Sequence, residues 1–239
     1  MDFFPLELEL TGIVVIVGAY GSGKTEVAIN LAVHMHARGT AVRVADLDLV
    51  NPYFRTREAR QTLNRLGIDV VLPPVAYMQA DLPILSPAVS GMLRHPVGLT
   101  LLDVGGDGVG ATVLAALADS LKGKPVQLLQ VINPHRPHTD TLSGCLKMRR
   151  EIETQAKMTV TGIIGNANLM EETTARHIVA GYLFSQQVAE AANVPLMFIT
   201  TPAALLTGLT GKDIRCPVLP LKRQLVPPWK QAESFEPAL

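Results

Sequence analysis

Only two cysteines, Cys145 and Cys216, occur in the 239 residues, far apart and without CxxC spacing. That excludes a disulfide framework and gives an iron–sulfur or zinc site no cluster to use, so a reducing, cytoplasmic setting is expected. Net charge is also missing: 21 basic and 21 acidic side chains cancel. A neutral chain has no electrostatic reason to bind nucleic acid or a membrane surface. No apolar run approaches the roughly 18 residues that a membrane span requires. The opening MDFFPLELEL has acids but no basic residue, unlike a secretory signal. Aromatic residues make up 5%, with Trp229 the sole tryptophan and the expected anchor of the C-terminal tail. What is abundant is aliphatic: 48% of residues are hydrophobic, and the length suits one domain over 1–239 that needs no metal or disulfide to fold.

Short β-branched runs alternate with segments of helical period. Strands are expected at 13–17, 41–46, 99–104, 126–132, 160–165 and 195–200. Helices are expected over 23–38, where Val27, Ala28, Leu31, Ala32 and Met35 share a face and Gly39 ends the run, and near 55–66, 110–121, 138–156 and 171–192. The alternation predicts an α/β fold: a three-layer, doubly wound, mostly parallel sheet with helices on both faces. Five prolines make 72–98 mostly loop with one short helix. Prolines 217, 220, 227 and 228 make the tail from about 216 an irregular segment laid over the core.

GAYGSGKT, Gly18 to Thr25, fits the phosphate-loop pattern GxxxxGK[ST] and lies between a strand and a helix, as such a loop must. Glycines at 18, 21 and 23 let main-chain N–H groups turn toward phosphate oxygens. Ser22 and Glu26 flank that ring of donors, Lys24 supplies a cation for the β- and γ-phosphates, and the Thr25 hydroxyl is a ligand for Mg²⁺. Asp103 ends the apolar run LTLLDV, where a carboxylate can bind that magnesium through water. Gly106 completes DxxG, and its N–H is suited to sensing the γ-phosphate. Val104 follows Asp103 where one large ATPase branch has a catalytic glutamate, so the Asp103 strand is expected beside the phosphate-loop strand, as in the kinase–GTPase branch.

With Asp46 and Asp48 in AVRVADLDLVNPYF, at the end of the second strand, the chain resembles the MinD/ParA and cobyrinic acid synthase-type superfamily, which also includes dethiobiotin synthetase. The resemblance runs from about Ile13 to Pro202 and rests on GAYGSGKT, DLD at 46–48 and DVGG at 103–106. It implies that Asp48 helps place the attacking water or the magnesium shell, with Asp46 in support. It also implies that Asn166, in GIIGNANL, bonds the base; Asn168, or a loop residue after Thr201 such as Pro202, is the candidate to share the pocket. An asparagine in a turn is equally a structural residue. A carboxamide suits the N6/N7 edge of adenine, and no NKxD motif is present, so ATP is expected rather than GTP. The chain departs from the family at Ala19, where the MinD/ParA group has a second lysine that reaches across a dimer. A MinD-like membrane tail is not expected either, since the prolines at 217, 220, 227 and 228 break any long amphipathic helix.

Arg55 and Arg57, in NPYFRTRE, fit either a switch or clamp for an anion or a solvated helix start. Arg136, between His135 and His138 in NPHRPHTD, is placed to face a second substrate or partner at the strands' carboxyl ends. Two histidines there make a weak metal site. Three functions compete: a slow, dimeric ATPase switch acting on a protein partner, an ATP-dependent kinase or ligase for a small acid, and a non-hydrolysing nucleotide-binding module.

Overall fold

The computed structural model describes residues 10–48, 56–72, 87–105, 108–209, 214–227 and 229–235. Among these described residues eight strands form one sheet in the order β3-β2-β4-β1-β5-β6-β7-β8, and every neighbouring pair is parallel. They are β1 (Gly12–Gly18), β2 (Val42–Leu47), β3 (Asp69–Val71), β4 (Leu99–Val104), β5 (Val126–Ile132), β6 (Gly162–Gly165), β7 (Leu196–Pro202) and β8 (Val218–Leu221). The helices are α1 (Lys24–Ala37), α2 (Arg60–Arg65), α3 (Pro87–Arg94), α4 (Gly108–Leu121), α5 (Leu142–Ala156) and α6 (Ala175–Ala192).

The pleat of β1 sorts its side chains. Val14 and Ile16 pack under α1 and α2, whereas Ile13, Val15 and Val17 face the helices α3 to α6. β1 is therefore buried on both sides, which accounts for its unbroken apolar run. The Asp103 strand does pair with β1, with Ile16 opposite Asp103. The chain first winds to one side of β1 and then, from β5, to the other. This reversal opens the crevice in which doubly wound sheets bind ligands.

Some sequence expectations shift. The helix expected near 55–66 is a 3-10 turn, Thr56–Ala59, followed by α2. The stretch 138–141 is turn, with Thr141 capping α5, and Thr174 starts α6 with a capping box. The tail is not wholly irregular: β8 extends the sheet beside β7. Trp229 does not anchor it, being 82% exposed; Leu225 and Phe235 pack on the core instead. Among the described residues no helix is long and apolar enough to cross a membrane.

Candidate functional site

At the carboxyl end of β1 the chain curls into the glycine loop and enters α1 without any side-chain cap, because Gly23 holds the N-cap position. The first N–H groups of a helix have no partner inside it, so this end is left as a ring of donors. Gly23 adopts φ +91, and a Cβ there would sit 2.1 Å from Asn166 Nδ2. Any side chain would fill the space that the loop keeps. Ser22 is fully buried, and its hydroxyl has no hydrogen-bond partner. The Lys24 ammonium, also buried, donates to the Ala19 carbonyl at 3.0 Å.

Three carboxylates converge beside this loop. Asp46 and Asp103 are paired in register on β2 and β4, and both are fully buried; Asp48 is 6% exposed. The Asp48 N–H donates to Asp46 Oδ1 at 3.1 Å. Thr56 donates its hydroxyl to Asp103 Oδ2 at 2.8 Å, while Asp103 Oδ1 is buried without a hydrogen bond. Burial, then the Asp46 charge, push the Asp103 carboxyl up to about 7, against the opposing pull of Thr56, Lys24 and Thr25.

Those features fit a magnesium ion. A dry carboxylate oxygen with no donor, a second carboxylate raising its pKa and the Thr25 hydroxyl beside it are what a hard divalent cation relieves. Among the described residues no group of three or more His, Cys, Asp or Glu side chains could hold a metal alone. Magnesium does not require one, since phosphates and water complete its shell.

On the far side of the loop, Asn166 is 3% exposed and ties two elements together. Its Nδ2 donates to the Ser22 carbonyl at 2.6 Å, and its Oδ1 accepts from Thr200 Oγ1 at 2.6 Å. An amide nitrogen has two hydrogens, so one remains for a ligand. Pro202 ends β7 just past Thr200, half-buried. Arg136 reaches the loop as well, its Nε donating to the Gly21 carbonyl at 3.1 Å. Asn133 braces the Arg136 segment: Nδ2 donates to the Asn168 carbonyl at 3.0 Å, and Oδ1 accepts from the His135 N–H at 3.0 Å.

The structure thus brings together Gly18, Gly21, Ser22, Gly23, Lys24, Thr25, Asp46, Asp48, Asp103, Asn166 and Arg136. Gly106 and Arg55 lie outside the described residues, as does the side chain of Arg57. Glu26 faces elsewhere: its carboxylate accepts from the main-chain N–H groups of Gln224 at 2.8 Å and Leu225 at 3.1 Å. Only the main chain of Glu26 remains for a phosphate contact. Sequence reading missed Thr56, Asn133 and Thr200. Asn133 and Thr200 share one signal, a polar side chain at or just past a strand's carboxyl end, which turns share; Thr56, nine residues beyond the end of β2, carries none. His135 and His177 meet edge to face at 5.4 Å, and burial, then the His177 charge, hold the His135 ring below its ordinary pKa. Cys145 and Cys216 are buried thiols, pushed up to about 12 and about 11 chiefly by burial.

This architecture is the α/β fold of the P-loop proteins. Its solved likenesses include cell division protein FtsY from Thermotoga maritima (20% identity, TM-score 0.55, covering 84% of this chain and 65% of that one). The chloroplast FtsY from Physcomitrella patens is similar (22%, 0.54, 82% and 62%). So is the signal recognition particle receptor FtsY from Elizabethkingia anophelis (17%, 0.51, 85% and 60%). The chain spans less than two thirds of the length of each. At these identities the likeness is one of fold. No protein-family model and no curated protein matches the sequence.

Proposed function

We propose that this chain binds Mg·ATP in the Gly18–Thr25 loop and is a slow ATPase of the MinD/ParA type, switching its hold on a protein partner with nucleotide state. The observation that carries the reading is the orphaned Asp103 Oδ1, buried beside Asp46, Lys24 and Thr25 at the mouth of the glycine loop. Main-chain N–H groups and Lys24 would hold the phosphates. Thr25 and Asp103 would hold the magnesium, which supplies charge neutralisation to the γ-phosphoryl oxygens when bound. Asp48 would orient the attacking water.

ATP is favoured over GTP because guanine reading through an NKxD motif needs a carboxylate three residues past the asparagine, and Leu169 stands there. The remaining Asn166 amide hydrogen is available to an adenine N7. The cytoplasm and a nucleotide-dependent homodimer belong to the same reading. Ala19, 3% exposed in place of the family's second lysine, favours a second one. In it the chain is a kinase or ligase in which Arg136, on the loop's rim, holds a small acid as it attacks the γ-phosphate.

Competition binding and light scattering separate these. Micromolar ATP displaced poorly by GTP, with a monomer-to-dimer shift under ATP, is the expected result. Turnover that appears only on adding a small acid would replace the switch with the kinase reading. Equal affinity for both nucleotides would remove the ATP assignment.

A further inference from the structure

Thr56 is fully buried, yet its sequence position offers no catalytic motif. It opens the 3-10 turn Thr56–Ala59, which packs against α1 and β2 and leads directly into α2. Its one hydroxyl hydrogen goes to Asp103 Oδ2 at 2.8 Å, between residues 47 apart in sequence. A carboxylate on a buried strand end could rotate about its last torsion and present either oxygen or its edge. The Thr56 bond removes that freedom. It occupies Oδ2 and leaves Oδ1, which makes no hydrogen bond, as the free oxygen, with the Thr25 hydroxyl close enough to pull on the carboxyl.

We propose that Thr56 is a positioning residue for magnesium: by holding Asp103 Oδ2 it aims Oδ1 at the cation, and it links the metal to the 56–65 segment. This rests on the Mg·nucleotide reading above. Outer partners of metal-binding carboxylates act in this way, and losing one weakens metal affinity about 10–100-fold. A valine keeps the shape of threonine and removes the donor; a serine keeps the donor and removes a methyl group.

The test is a Mg²⁺ titration of the full chain pre-loaded with a fluorescent ATP analogue, alongside the same nucleotide titration in EDTA. Thr56→Val should raise the half-saturating Mg²⁺ at least about tenfold, leave affinity in EDTA unchanged, and be rescued by Thr56→Ser. Unchanged Mg²⁺ affinity in Thr56→Val, or an equal loss in EDTA, would overturn the inference. Should Thr56→Val not fold, hydrogen exchange on the wild type decides. Adding Mg²⁺ to the nucleotide complex should slow exchange in 56–65, and no change there would overturn it. A wild type that binds no nucleotide would instead remove the underlying reading.

Discussion

Asn166 serves two neighbours with one carboxamide, fastening the glycine loop through the Ser22 carbonyl and β7 through Thr200. Its location against Gly23 means that a base reader here would also set the loop's shape. Replacing it by alanine leaves the Ser22 carbonyl without this donor and the Thr200 hydroxyl without this acceptor. An unsatisfied buried polar group costs about 1–3 kcal/mol. Asn166→Ala should therefore lower the midpoint in a denaturant titration and also narrow the ATP-over-GTP preference. A purely structural role would lower stability and weaken both nucleotides alike, leaving their ratio fixed.

At the scale of elements, α1 is gripped at both its start and its middle. Glu26 accepts from Gln224 and Leu225, and Asn30 exchanges bonds with Lys222, its Nδ2 donating to the carbonyl at 3.1 Å and its Oδ1 accepting from the N–H at 2.8 Å. Further out, Glu171 pairs with Arg223 and Lys230, tying the tail to the loop after Asn166. That outer pair is exposed and contributes little. The Glu26 grip is different. Burial raises its carboxyl above the ordinary value even as the Gln224 and Leu225 N–H groups pull it down, so these donors compensate a desolvated acid. Glu26→Ala should cost about 1–3 kcal/mol and speed hydrogen exchange at 222–227, whereas Glu171→Ala should do neither. Equal and slight effects of both variants would mean that the tail is held by Leu225 and Phe235 packing alone.

For the whole molecule, the sheet and the glycine loop were legible because their signals are local. β1 is a buried apolar run, GAYGSGKT is contiguous, and Asp103 stands one residue before its strand ends. β8 was not legible, because Pro220 disguises VLPL; at the sheet's edge a proline's missing N–H is tolerated. β3 is only three residues long, too short for a period to register. The braces were invisible for another reason. Ser22 and Asn166 are 144 residues apart, and Glu26 and Gln224 are 198 apart, so only the folded topology brings them together. Trp229 misled because size suggested an anchor, while the smaller Leu225 and the Phe235 ring took that place.

All of these scales meet at the Lys24 ammonium, which now donates to the Ala19 carbonyl and which a triphosphate would engage instead. Calorimetric titration of Mg·ATP into the wild type and Lys24→Ala examines this directly. Losing one charge-assisted bond to phosphate is worth about 1.5–3 kcal/mol, so the variant should bind on the order of 10–100-fold more weakly with its melting temperature preserved. A Lys24→Ala protein that binds Mg·ATP as tightly as the wild type would contradict the assignment of this loop as the phosphate cradle.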